Sequence, residues 1–114
     1  MRPDQLRLLG RLSNGEDGLV ERKPQTVKNE ELRRTVVAFA NTVRDGQTAV
    51  LFIGVSNTGS VLGVDNPDEL QKRINRVTKD CYPRIKAQSY ELQSDGKRFI
   101  AVEISPSDNA LCKH

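Results

Sequence analysis

Residues 36–64, VVAFANTVRDGQTAVLFIGVSNTGSVLGV, decide the fold. The stretch opens inside a helical stripe. Leu32, Val36, Phe39, Ala40 and Val43 recur at the spacing that gathers side chains on one face of an α-helix. Arg44-Asp45-Gly46-Gln47 then turns the chain into Thr48–Val55, an almost unbroken apolar run rich in branched side chains. Such a run predicts a central strand buried on both faces. Ser56-Asn57-Thr58-Gly59 has turn chemistry, and Val61–Val64 reads as a short returning strand, giving a hairpin.

Working upstream, Pro3, Leu6, Leu8, Leu9 and Leu12 predict a short amphipathic helix that Ser13-Asn14-Gly15 breaks. Leu19–Lys23 is a strand that Pro24 ends or leaves at a sheet edge. Asn29 is the expected cap of the second helix, with Glu30 and Glu31 at the positive end of its dipole. Downstream, Asn66-Pro67-Asp68-Glu69 is a helix start, with a capping residue and a proline at the first helical position. Leu70, Ile74, Val77 and Cys81 form the apolar stripe that follows, and Pro83 closes it. Ile85–Gln93 and Lys97–Ile104 are two strands joined around Ser94-Asp95-Gly96, whose Asp-Gly pair favours a hairpin turn. The order is α-β-α-β-β-α-β-β, an α+β arrangement with helices packed on a mixed sheet. Residues 1–12 form an N-terminal helix, 13–105 the body of the domain, and 106–114 a polar tail expected to be flexible.

The chain has 114 residues, enough for one domain with a modest core. With three Phe, two Tyr and no Trp, that core must be mainly Val, Leu and Ile. Charged residues make up 29% and the net charge is +3, with a pI near 9.1. This balance permits a polyanionic partner without requiring one. No apolar run has the length to span a bilayer, and Met1-Arg2-Pro3-Asp4-Gln5 opens no signal peptide, so a cytoplasmic protein without a membrane partner is expected. Cys81 and Cys112 form no CxxC pair and are expected to be reduced thiols.

The only histidine is His114, which excludes Ser-His-Asp and Cys-His catalysis and the usual histidine metal sites. No glycine-rich phosphate loop of Walker or Rossmann spacing is present. Hydrolytic chemistry would have to rest on carboxylates holding a divalent cation. The basic residues offer a different chemistry. Lys72, Arg73, Arg76 and Lys79 are neighbours on one helix; Arg33, Arg34 and Arg44 decorate the second; Arg22 and Lys23 flank its approach. Such arrays bind phosphate backbones with little sequence selectivity. The bland alternative is a solvated helix face partly neutralised by Glu69 and Asp80. Tyr82 and Tyr90 are the only candidates for stacking on bases.

Taken in order, the motifs resemble the Schlafen/AlbA-type nucleic-acid-binding domain family. The resemblance is carried by Glu16 and Val20-Glu21-Arg22-Lys23, Ala38-Phe39-Ala40-Asn41, Ile53-Gly54-Val55, Gly59 and Gly63-Val64, and covers residues 13 to 105. It implies a helix-on-sheet domain that binds DNA or RNA, and a homodimer, since family members tend to pair two such domains. Some Schlafen members cleave RNA with three acidic residues. Glu16 and Glu21 match the first two, and would be both the catalytic pair and the ligands of a Mg²⁺ or Mn²⁺ ion. At the third position this chain has Ser56 and Asn57, so the resemblance favours a binder over an enzyme and no cofactor is expected of a binder. Glu21 beside Arg22 and Lys23 also reads simply as an ion-pair partner on a strand end. Three readings therefore stand: a nucleic-acid-binding module contacting phosphates through basic helix faces, a metal-dependent endoribonuclease, and a protein-interaction or transcriptional regulatory domain.

Overall fold

Strand β2, Ala49–Ile53, is buried at every position and sits at the centre of the sheet. The computed structural model describes residues 3–13, 18–82, 85–106 and 111–112. Around β2 lie α1 (Pro3–Ser13), β1 (Val20–Lys23), α2 (Asn29–Thr42), α3 (Pro67–Lys79), β3 (Cys81–Tyr82), β4 (Ala87–Ser94), β5 (Lys97–Ile104) and β6 (Leu111–Cys112). The main sheet has the order β1-β2-β5-β4, with β1 parallel to β2 and the other pairs antiparallel. The expected mixed sheet with helices packed on it is what forms, and β1, which ends at Pro24, lies at an edge.

The register sorts the side chains onto two faces, because partners across a ladder share a side and neighbours along a strand alternate. Arg22, Phe52 and Ala101 fall on one face; Lys23, Ile53 and Ile100 fall on the other. Helices α2 and α3 cover the Lys23 face, burying Leu32, Val36 and Ala40 from one helix and Leu70, Ile74 and Val77 from the other. Helix α1 covers the Arg22 face. Its Arg7 pairs with Glu103, and Arg11 Nη1 donates to the Thr48 carbonyl at 2.8 Å. Thr48 Oγ1 completes the clamp by donating to Glu103 at 3.1 Å. Phe52 and Phe99, both fully buried, pack with ring centroids 6.3 Å apart.

Three local details refine the sequence reading. Lys28, not Asn29, holds the cap position of α2, and it makes no side-chain cap bond. Asn29 Oδ1 instead accepts a hydrogen bond from Arg73, so a tertiary partner outcompetes the local one. The return after β2 is a single bridge, Val55 to Val61, rather than a full strand. Gly54 at φ +95° folds the chain back so tightly that a Cβ there would lie 2.6 Å from Val64 Cγ2, and Val64 N then bonds Arg98 O. Within the segment expected to be a flexible tail, Leu111–Cys112 pairs antiparallel with β3. Cys81, expected as a reduced thiol, is buried and disulfide-bonded; the β3–β6 register sets it opposite Cys112. No helix among the described residues is long and apolar enough to cross a membrane.

Candidate nucleic-acid interface

Helix α3 has a side-chain N-cap, which α2 lacks. Asn66 Oδ1 caps it by accepting from Glu69 N at 3.2 Å, and Pro67 opens it. Asp68 and Glu69 stand in the first turn and Arg76 and Lys79 in the last, each sign at the end of the dipole that favours it. With Leu70, Ile74 and Val77 buried, Lys72, Arg76 and Lys79 are left exposed at spacings of one and two turns, a continuous basic stripe. The Arg76–Glu69 pair is 3.8 Å apart with side chains 67% and 60% exposed, so it neutralises the stripe only weakly.

Arg73, adjacent in sequence, does different work. Its Nε donates to Asn29 Oδ1 and its Nη2 to the carbonyl of buried Val27, tying α3 to the entry of α2. Lys23 is also engaged: its Nζ lies 2.5 Å from Glu31 and 3.4 Å from Glu21. The hydrogen bond with Glu31 raises the Lys23 pKa and lowers that of Glu31, holding both charged. Arg33 is half-buried, and its Nε has no hydrogen-bond partner among the described residues; Arg34 and Arg44 are exposed. Of the sequence-predicted basic set, Lys72, Arg76, Lys79, Arg34 and Arg44 face solvent, Arg73 and Lys23 are spent on packing, and half-buried Arg33 falls in neither group.

Arg22 belongs to a third place. On the α1 face of the sheet it lines a cleft of about 510 Å³ between the end of α1, the 58–61 turn, and Ser94, Asp95 and Lys97 around the β4–β5 turn. Its Nη2 donates to Leu12 O at 2.8 Å, and its Nε is buried without a hydrogen-bond partner among the described residues. Gly59 lies against this guanidinium: a Cβ there would fall 3.7 Å from Nε. Sequence reasoning found Arg22 but not Lys97, Ser94 or Asp95 as its companions. The Asp95-Gly96 pair signalled only a turn, and no local pattern says that this turn lies beside β1.

A family model described as Schlafen, AlbA_2 matches residues 16–114, taking in every element from β1 to β6. The chain belongs to the Schlafen AlbA_2 family. No curated protein matches it. Among solved structures, this AlbA_2 domain is similar to the N-terminal domain of a RecG-related protein from Nitrosomonas europaea, with a TM-score of 0.68 and 20% identity over 95% of this chain and 76% of that one. It is also similar to the DIP2311 protein of Corynebacterium diphtheriae, with a TM-score of 0.55 and 15% identity; 91% of this chain is covered, but only 22% of that one. At these identities the likeness is one of fold.

The acidic residues of the AlbA_2 domain do not converge on a metal site among the described residues. Glu16 lies outside the described residues. Glu21 is on the Lys23 face, where its carboxylate sits 3.4 Å from Lys23 Nζ. At the third position Ser56 Oγ is already engaged, accepting from Ser60 N at 3.1 Å and lying 2.9 Å from Thr58 Oγ1. Among the described residues no three carboxylate, thiol or imidazole groups gather as metal ligands. Among the described residues, one ammonium-paired carboxylate and a hydroxyl do not make the oxygen cage that Mg²⁺ requires.

Proposed function

We propose that this AlbA_2 domain binds nucleic acid through backbone phosphates, with Lys72, Arg76 and Lys79 of α3 as the main contacts and Arg34 and Arg44 as flanking ones. The exposed stripe on α3 carries the reading: three cations on one helix face, whose ion pair among the described residues is the weak, exposed Arg76–Glu69 contact. Helical cations at this spacing can track successive phosphates without reading bases. Family membership supports a nucleic-acid ligand, and the RecG-related protein of the same fold is named for an ATP-dependent DNA helicase, which puts DNA beside RNA as a ligand to test.

The test is a binding titration with duplex DNA, duplex RNA and their single strands between 50 and 200 mM salt, on the order that resolves a slope of about −0.9 per phosphate contact. Affinity that falls with salt for wild type, and less steeply for Arg76→Ala, supports the reading. Affinity indifferent to salt sinks it. Incubating the same RNA with Mg²⁺ or Mn²⁺ tests the catalytic alternative: cleavage that Glu21→Ala abolishes would revive it.

A further inference from the structure

The cleft around Arg22 is on the opposite face of the sheet from α3 and has its own chemistry. Arg22 and Lys97 bring two positive charges and Asp95 one negative charge, while Thr58, Ser60 and Ser94 bring hydroxyls. Leu12 and Val61 add apolar wall. Arginine has five N–H donors; Nη2 of Arg22 donates to Leu12 O, while its buried Nε has no hydrogen-bond partner among the described residues. The turn that faces it is fixed beforehand: Gly59 N donates to Ser56 O at 3.0 Å and Ser56 N to Ser60 O at 2.8 Å. The register places Ser94 directly across from Lys97 on the face that carries Arg22.

We propose that this cleft binds a nucleotide, with Arg22 and Lys97 on its phosphate, Asp95 accepting from its sugar hydroxyls, and Leu12 and Val61 against its base. Two cations match a phosphate dianion, and a guanidinium offers it paired donors. A lone inorganic anion would leave Asp95 unfavourably close, whereas a ligand with hydroxyls beside its phosphate uses both signs. The cleft volume lies within the range of small-molecule sites. The ligand could be free or the phosphorylated end of an oligonucleotide, and the chemistry recognised is the same.

Backbone amides of Gly59, Ser60 and Gly96 report on the site in an NMR titration with a ribonucleoside 5′-monophosphate, the matching nucleoside, inorganic phosphate and a short 5′-phosphorylated oligoribonucleotide. Phosphorylated probes are expected to shift these amides and the nucleoside is not. Lys97→Gln, at an exposed position, should weaken binding about tenfold or more, the loss expected for a hydrogen bond to a charged group. Asp95→Asn, at a position with φ 53° that asparagine tolerates, should weaken the nucleotide but not inorganic phosphate. A response to the monophosphate alone assigns a free nucleotide, and a tighter response to the oligonucleotide assigns a chain end; either supports the site. No shift with any phosphorylated probe, an equal response to the nucleoside, or an unaffected Lys97→Gln variant overturns it. Replacing Lys72, Arg76 and Lys79 should leave these shifts unchanged, so this site and the α3 interface stand or fall separately.

Discussion

Replacing Arg73 by Met separates packing from phosphate binding, because the sequence groups Arg73 with its basic neighbours and the structure does not. Methionine keeps the apolar stem but removes both donors, leaving the Val27 carbonyl and Asn29 Oδ1 without them. Asn29 is exposed and can turn to water, whereas Val27 is buried at the entry to α2, so most of the loss falls on its carbonyl. A hydrogen bond from a charged donor contributes about 1.5–3 kcal/mol, and the loss here should be about 2 kcal/mol. With a urea dependence of about 2 kcal/mol per molar, the unfolding midpoint drops by about 1 M. The assay is equilibrium urea unfolding followed by circular dichroism, paired with the salt dependence of nucleic-acid binding on the same sample. The expected outcome is a lower midpoint and an unchanged salt slope. An unchanged midpoint with a slope reduced by about 0.9 would refute the reasoning and make Arg73 a phosphate ligand.

Exchanging Lys72, Arg76 and Lys79 together for Gln should do the reverse, lowering the salt slope by about 2.7 on duplex DNA while moving the urea midpoint little, since all three are exposed. Gly54→Ala should destabilise by about 2–4 kcal/mol in the same unfolding assay, combining a positive φ with a Cβ contact of 2.6 Å to Val64. Glu103 should make stability fall in acid. The hydrogen bond from Arg7 holds its carboxyl below the ordinary value of 4.5, so its contribution is fully present above that pH and is lost as pH falls through the lowered folded pKa. Glu103→Gln should therefore cost stability at pH 7 and progressively less as the pH drops towards 3, read from urea midpoints across that range.

Much of the fold was legible because its signals are local. The apolar run at 49–53 states that β2 is covered on both sides, and the steps between Leu70, Ile74 and Val77 state which side of α3 is buried. Asp95-Gly96 carries its own turn geometry, with positive φ at both residues. The return strand at 61–64 was less legible, since its apolar residues have the right period but Gly54 and the approach of Val64 restrict pairing to one bridge. Pairing of Leu111–Cys112 with β3 was not legible either: two residues carry no period, and their partner is thirty positions away.

The candidate site divides along the same line. By itself the sequence determined the family, the α+β arrangement and the stock of cations, because periodicity, capping and turn chemistry act over a few residues. Only the tertiary structure decided how each cation is used. Lys72 and Arg73 are adjacent, yet one helix step of about 100° leaves the first in solvent and turns the second towards Val27 and Asn29. Arg22 and Lys23 are adjacent too, and strand alternation sends one to the cleft beside Lys97 and the other to Glu31. In each pair the charge is the same, and the nearest carbonyl or carboxylate, brought close from a distant part of the chain, sets whether that charge holds the fold or is left for a ligand.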